Sequence, residues 1–209
     1  MLEAEQEEQA ATAVDSTIGS APAGDGGIRR AFQLAVPYDT WAGNDERAGL
    51  LHGYGPVTPD QARQLATLAS TWVATRTPHG HIILHAKITT LAKPRDQQMA
   101  IRTAIHAIDI TPPPEPGYRP STALAARVRA RDGTCRNPIC NRSAYSSDLD
   151  HTRPHHHGGP TTDANLAALH RRHHKMKSLP GTHVTQPRPG TLLWRTRTGD
   201  CYLVTPDEF

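Results

Sequence analysis

The sequence predicts an α+β protein whose second half is braced by metal. Three observations point there. Runs with helical spacing and runs with strand alternation are both short and lie in separate stretches of the 209-residue chain. A proline-rich break, TPPPEPGYRP at Thr111–Pro120, divides the chain into two textures. Beyond it, two cysteines and two histidines stand in close pairs, Cys135-x4-Cys140 and His170-x2-His173.

Residues 1–27 are rich in Ala, Glu, Gln, Gly and Ser and read as a disordered acidic tail. Ile28–Val36 alternates Phe32, Leu34 and Val36, the pattern of a strand. GYGPVTP, Gly53–Pro59, is a turn cluster, and Thr58 followed by Pro59 is a helix start. Ala62, Leu65, Ala66, Leu68, Ala69 and Trp72 then recur at helical spacing, which predicts a helix over 59–73 with Trp72 in the core. His81–Leu91 is β-rich, and Pro94–Ile108 reads as a helix with Met99, Ile101, Ala104, Ile105 and Ile108 mostly on one side. After the proline break Ser121 can cap a helix over 122–131, and Asp132-Gly133 makes a turn. THVTQ, TLLWRT and CYLVT near the C-terminus suggest a small antiparallel sheet, a β-hairpin extension with Trp194 as its anchor and Cys201 as a buried thiol.

Composition narrows the function. Gly and Pro together make 34 residues, which argues for many loops and against a long helical bundle. No apolar run is long enough to span a membrane. The opening MLEAEQEEQA is acidic where a signal peptide is basic, so a soluble, cytoplasmic protein is expected. Three cysteines do not make a disulfide framework. Residues 1–28 carry six acids and no base, whereas 119–178 carry eleven Lys and Arg against four Asp and Glu, with seven histidines besides. A basic, histidine-rich stretch beside a near-neutral remainder suggests a polyanion partner such as nucleic acid; a merely solvated basic face is the alternative.

Two thiolates and two neutral imidazoles neutralise and surround a tetrahedral zinc ion, which is the reading favoured for Cys135, Cys140, His170 and His173 over buried thiols and surface histidines. A second constellation lies between and beside them. Asp150-His151 ends the strand-like SSDLDH, Asn165 follows in ANLAAL, and His174 comes directly after His173. Neighbouring helical residues point ~100° apart, so His173 and His174 serve different sites. A carboxylate and a histidine suit a second divalent cation with open positions, and another histidine can act as general base. That inventory fits phosphodiester hydrolysis. Adjacent strand residues face opposite sides, so Asp150 and His151 share one cleft only if the strand ends or twists there.

In this order, Cys-x4-Cys, Asp-His, Gly-Gly-Pro-Thr, Asn-Leu and His-x2-His-His resemble the HNH endonucleases, which carry the ββα-metal fold. ALAARVRARDGTCRNPIC at Ala123–Cys140 and the upstream GYGPVTPDQARQLA are most similar to the actinobacterial type with a preceding domain of unknown function. The resemblance implies a division into the acidic tail (1–27), the C-terminal part of the upstream domain (28–118), the HNH nuclease domain (119–180) and the extension (181–209). The N-terminal part is shorter than in those relatives, which implies an incomplete upstream domain. By position, His151 is implied as general base, Asn165 as a brace for its loop, and Asp150 with His174 as holders of one catalytic cation. That cation can be Mg2+, Mn2+, Ni2+ or Zn2+. Cys135, Cys140, His170 and His173 are implied as structural Zn2+ ligands, although His170 stands where the family usually has cysteine. The implied reaction is DNA hydrolysis leaving a 5′-phosphate. The rival reading is an inactive zinc-stabilised nucleic-acid-binding module.

Arg153, Arg171, Arg172, Lys175 and Lys177 flank the expected cleft and are expected to contact phosphates, though a solvated helix face fits Lys177 best. His155-His156-His157 reads as a flexible loop before Gly158-Gly159-Pro160, because consecutive side chains seldom converge on one ion.

Overall fold

A computed structural model describes residues 32–77, 79–88 and 96–206. The expected acidic tail and the first residues of the first expected strand lie outside this range. β1 (Phe32–Pro37) leads into a short helix α1 (Tyr38–Ala42) and the hairpin β2 (Gly49–Leu51) and β3 (Gly55–Val57). Helix α2 (Pro59–Ala66), β4 (Ala69–Arg76), β5 (Ile82–Ile88) and α3 (Gln97–His106) follow. The five strands form one antiparallel sheet in the order β3-β2-β1-β5-β4. Thr58 caps α2 as read from the sequence: its hydroxyl accepts from Gln61 N while the Gln61 side chain accepts from Thr58 N.

The expected helix over 59–73 is half as long. It stops at Ala66, and Ala69–Arg76 becomes an edge strand paired with β5. The apolar residues at 68, 69 and 72 fit either period. The β-branched Thr71, Val73 and Thr75, together with the ladder to β5, decide for the strand. Trp72 remains packed against the core, and its indole donates to Gln97 Oε1 at 2.5 Å.

The sheet has two unlike faces. Leu34, Val36, Leu84, Ala86 and Ile88 share one face with Ala74 and pack under Ala62 and Ala66 of α2 and Ile101 and Ala104 of α3. The opposite face carries Gln33, Ala35, Thr71, Val73, His85 and Lys87. Its edge strand β4 meets helix α4 (Thr122–Asp132), which Ser121 caps by accepting from Leu124 N at 3.2 Å.

Past Gly133, the chain forms β6 (Asp148–His151), β7 (Leu166–Leu169) and α5 (Arg171–Lys177), a two-stranded antiparallel sheet followed by a helix. All four residues of β7 are buried. Leu166 packs with Leu124 and Val128 of α4, and Ala167 and Leu169 pack with Cys135, Leu192 and Trp194. Asp132, fully buried, accepts from Ala168 N at 2.7 Å and from Arg131 Nε at 2.7 Å. Burial pushes its carboxyl up, and the Arg131 charge opposes that. Arg131 also donates to the carbonyls of Asp163 and Leu166 at 2.6 and 2.8 Å. The pair thus fixes α4 to β7 with its buried charges compensated.

The C-terminal stretch is a three-stranded sheet, not the hairpin expected: β8 (His183–Arg188), β9 (Thr191–Arg195) and β10 (Cys201–Val204), in the order β10-β9-β8. The turn at Thr198-Gly199 returns the chain for a third strand along β9. Cys201 begins that edge strand and is exposed, which corrects the buried thiol expected from its neighbours. Trp194 is 3% exposed and donates to the Arg136 carbonyl at 2.8 Å, as an anchor should. Among the described residues no helix is long and apolar enough to cross a membrane.

Candidate functional site

α5 places two adjacent histidines in two different surroundings. Its N-cap is His170, and the helix turns His173 toward the loop before β6 and His174 toward β6 itself. The ligand atoms of Cys135, Cys140 and His173 lie within 4.8 Å of one another, with His173 Nδ1 3.5 Å from Cys135 Sγ. The fourth expected ligand, His170, is not one of the three. Its ring centroid is 5.8 Å from that of His173, and its backbone N–H donates to Cys135 Sγ at 3.1 Å. Burial pushes the Cys135 thiol up to about 11. Burial, then the His170 charge, pushes the His173 imidazole down. Such a thiol is a poor nucleophile by itself, and two thiols beside a neutral imidazole are the donor set of a soft metal site.

His174 bridges two carboxylates. Its Nδ1 lies 3.0 Å from Asp148 Oδ2 and its Nε2 3.1 Å from Asp150 Oδ1. Asp148 and Asp150 share the face of β6 turned to α5, because they are two residues apart on a strand. Sequence reasoning missed Asp148, although the alternation in DLDH was the signal that could have found it. The hydrogen bond with His174, then that from Arg171, holds the Asp148 carboxyl below the usual range. Lys177 fills the remaining side: its ammonium pairs with Asp150 Oδ2 and donates to the His151 carbonyl. Its side chain is 11% exposed, so the solvated face weighed for Lys177 is not found, and the ammonium expected on phosphate is engaged with Asp150. A buried carboxylate recruited it.

His151 ends β6 and faces the other way. The strand does not twist to bring Asp150 and His151 to one side; Asp150 addresses α5, while His151 addresses the linker before α4. Its ring stacks on Tyr118 (5.1 Å, 20° between planes) and meets His155 edge-on at 5.3 Å. His151 Nε2 lies 2.9 Å from Thr161 Oγ1, and Thr161 Oγ1 donates to the Gly117 carbonyl at 2.6 Å. A hydroxyl has one hydrogen, so Thr161 accepts from His151 Nε2–H. Nδ1 then carries the lone pair, and it is buried with no hydrogen-bond partner. Burial, then the His155 charge, holds this imidazole below its ordinary value.

Asn165 braces the loop after His151 from both ends. Its Oδ1 accepts from Arg153 N at 2.8 Å, and its Nδ2 donates to the carbonyls of Arg153 and Pro160 at 3.1 and 2.9 Å. Within that loop His155–His157 form a short 3-10 helix. Arg153, Arg171, Arg172 and Lys175 are exposed. Arg153 donates to the His157 carbonyl and Arg171 to Asp148 Oδ2, at 2.9 and 3.0 Å.

The uncharacterized protein Rv3776 of Mycobacterium tuberculosis is 44% identical over 95 residues, which cover 45% of this chain and 18% of that protein. The uncharacterized protein Rv2100 of the same species is 42% identical over 93 residues, 44% of this chain and 17% of its own. The chain thus matches less than a fifth of the length of these relatives. No solved structure matches significantly. Residues 134–178, which hold both histidine surroundings, match the family model of the HNH endonuclease. This segment is a domain of the HNH endonuclease family.

Proposed function

We propose that the chain is a metal-dependent endonuclease that hydrolyses DNA phosphodiester bonds, with a structural zinc ion and one catalytic divalent cation. The observation that carries this is the division on α5: His173 joins Cys135 and Cys140, while His174 joins Asp150. The two donor sets differ in chemistry. Thiolates with an imidazole suit Zn2+, with His170 next to the group as the candidate fourth ligand. A carboxylate with an imidazole suits Mg2+, Mn2+, Ni2+ or Zn2+ and leaves positions for substrate oxygens. Bound there, the divalent cation supplies Lewis-acid stabilisation of charge on the phosphate.

The remaining chemistry belongs to side chains. His151 Nδ1 takes a proton from water as the water oxygen bonds to phosphorus; the P–O3′ bond breaks, leaving a 5′-phosphate and a 3′-hydroxyl that takes its proton from solvent. Thr161 holds the imidazole in the tautomer that offers Nδ1. Nδ1 is closed to bulk water here, so Tyr118 or His155 yields when substrate enters. Asn165 keeps the His151 loop in place, and Arg153, Arg171, Arg172 and Lys175 contact phosphates. In this reading 119–180 is the nuclease domain, 28–118 the end of an upstream domain and 181–209 an extension of the fold.

A second reading, an inactive zinc-stabilised binding module, is favoured by one observation: Lys177 sits on Asp150, where a cation would bind. Supercoiled-plasmid nicking by purified protein decides between them. It is run with Mg2+, Mn2+ or Ni2+, with EDTA as control, beside His151→Ala. The proposal expects metal-dependent nicking that the variant slows by roughly 100-fold or more, with zinc content unchanged. A zinc-loaded protein that binds DNA without nicking it overturns the nuclease reading in favour of the module.

A further inference from the structure

The polar face of the five-stranded sheet does not close on the nuclease module. Between them lies a cleft of about 800 Å3, in the size range of ligand sites. Asp148 and His174 line one end of it, and Lys87 and His85 of β5 line the sheet side. Arg119, Arg129 and Arg171 complete a wall in which four Lys and Arg residues face the single carboxylate of Asp148.

Arg171 is already engaged with Asp148, whereas Arg129 acts only through its charge on the neighbouring Tyr145. Its side chain makes no hydrogen bond or ion pair with any described residue, and its Nε is buried without a partner. The Arg129 side chain is half-buried, and a buried donor such as its Nε is costly to leave without a partner. His85 gives a second sign on the facing wall: Nε2 meets Thr75 Oγ1 at 2.9 Å, while Nδ1 is buried without a partner. Two buried polar atoms without partners thus belong to residues that line one cationic cleft. Tyr118, 57% exposed, stands at the same cleft. Cations that follow a backbone, next to an exposed aromatic ring that can stack on a base, are how proteins hold single strands.

We propose that this cleft holds a single-stranded segment of nucleic acid, with Arg129 and Lys87 on its phosphates, so that the upstream sheet forms part of the substrate-binding surface. This rests on the nuclease reading for its biological sense, but not for its test.

Binding of a fluorescent single-stranded oligonucleotide is measured by anisotropy on the full chain without added divalent cation, for wild type, Arg129→Gln, Lys87→Gln and the double variant. A duplex of the same sequence runs beside it. The expected result is single-strand affinity weaker by roughly three- to ten-fold for each substitution. The salt slope of the double variant falls by about 1.4, the value for two phosphate contacts on a single strand. Arg129→Gln removes an unpaired guanidinium, so its melting temperature is expected to stay or rise. Lys87 is an exposed residue, so Lys87→Gln tests the cleft even if the arginine variant folds poorly. Unchanged single-strand affinity and slope in the double variant overturn the proposal, as does weakening confined to the duplex. Plasmid nicking by the same wild-type sample reports on the nuclease reading separately. Nicking with unaltered binding in the variants removes the cleft and keeps the nuclease; altered binding without nicking does the reverse.

Discussion

Thr161 ties the imidazole of His151 to the linker that leaves the sheet. Its hydroxyl accepts from His151 Nε2 and donates to the Gly117 carbonyl, while its own carbonyl accepts from Glu115 N at 3.0 Å. The linker therefore grips Thr161 on both sides, and Thr161 decides which nitrogen of His151 carries the lone pair. Thr161→Val keeps the shape and removes the hydroxyl, so the imidazole is free to take the other tautomer. Nicking by this variant is expected to lose roughly 10- to 100-fold in kcat with little change in KM. Thr161→Ser, which restores the hydroxyl, is expected to recover most of the rate. Wild-type kcat in the valine variant would sink the tautomer argument.

Gly159 is where the loop after β6 comes closest to itself. A Cβ there would stand 1.9 Å from the Arg153 carbonyl oxygen and 2.9 Å from Asn165 Nδ2. Gly159→Ala must therefore push apart the backbone that Asn165 holds together. We expect a loss of about 1–3 kcal/mol in urea unfolding and slower nicking, with zinc content unchanged. Asn165→Ala removes three hydrogen bonds from the same loop and should match it in direction. Full stability in Gly159→Ala would show that the loop relaxes without consequence.

How much of this was legible in the sequence follows from the range of each interaction. Caps are local, so Thr58 and Ser121 announced α2 and α4 correctly. The split between His173 and His174 followed from helical geometry alone. The end of α2 was not legible, because Leu68, Ala69 and Trp72 satisfy both periods and only pairing with β5 chooses the strand. Lys177 was misjudged for the same reason. Its surroundings are set by Asp150, 27 positions away in sequence, and no local pattern reveals a carboxylate across a fold. Asp132, Arg131 and Thr161 likewise act through partners that only the tertiary structure supplies.

Lys177 gives the proposed cation site a built-in occupant. Its ammonium supplies the positive charge that Asp150 needs when no metal is bound. Lys177→Met should leave that carboxylate with His174 as its remaining partner and cost about 3 kcal/mol in protein without added Mn2+. Adding Mn2+ should then raise the melting temperature of the variant by more than that of wild type, since the ion no longer competes with the ammonium. Equal Mn2+ shifts in the two proteins would remove Lys177 from the metal equilibrium.

His85 makes the sheet sensitive to acid. Burial, then the charge of His52, holds its pKa at about 3, against about 6.5 in an unfolded chain. Above pH 6.5 neither state takes the proton, and His85 imposes no pH dependence. Below it the unfolded chain binds a proton that the folded sheet refuses, so stability falls as pH falls, by up to ~1.4 kcal/mol per pH unit until about pH 3. His85→Gln keeps a partner for Thr75 and cannot titrate. Between pH 7 and pH 5, wild type is expected to lose about 2 kcal/mol more than this variant in urea unfolding. Parallel stability curves for the two proteins would mean that His85 takes up its proton in the fold. Water in the cleft between the sheet and the HNH domain, which His85 lines, would then reach the imidazolium.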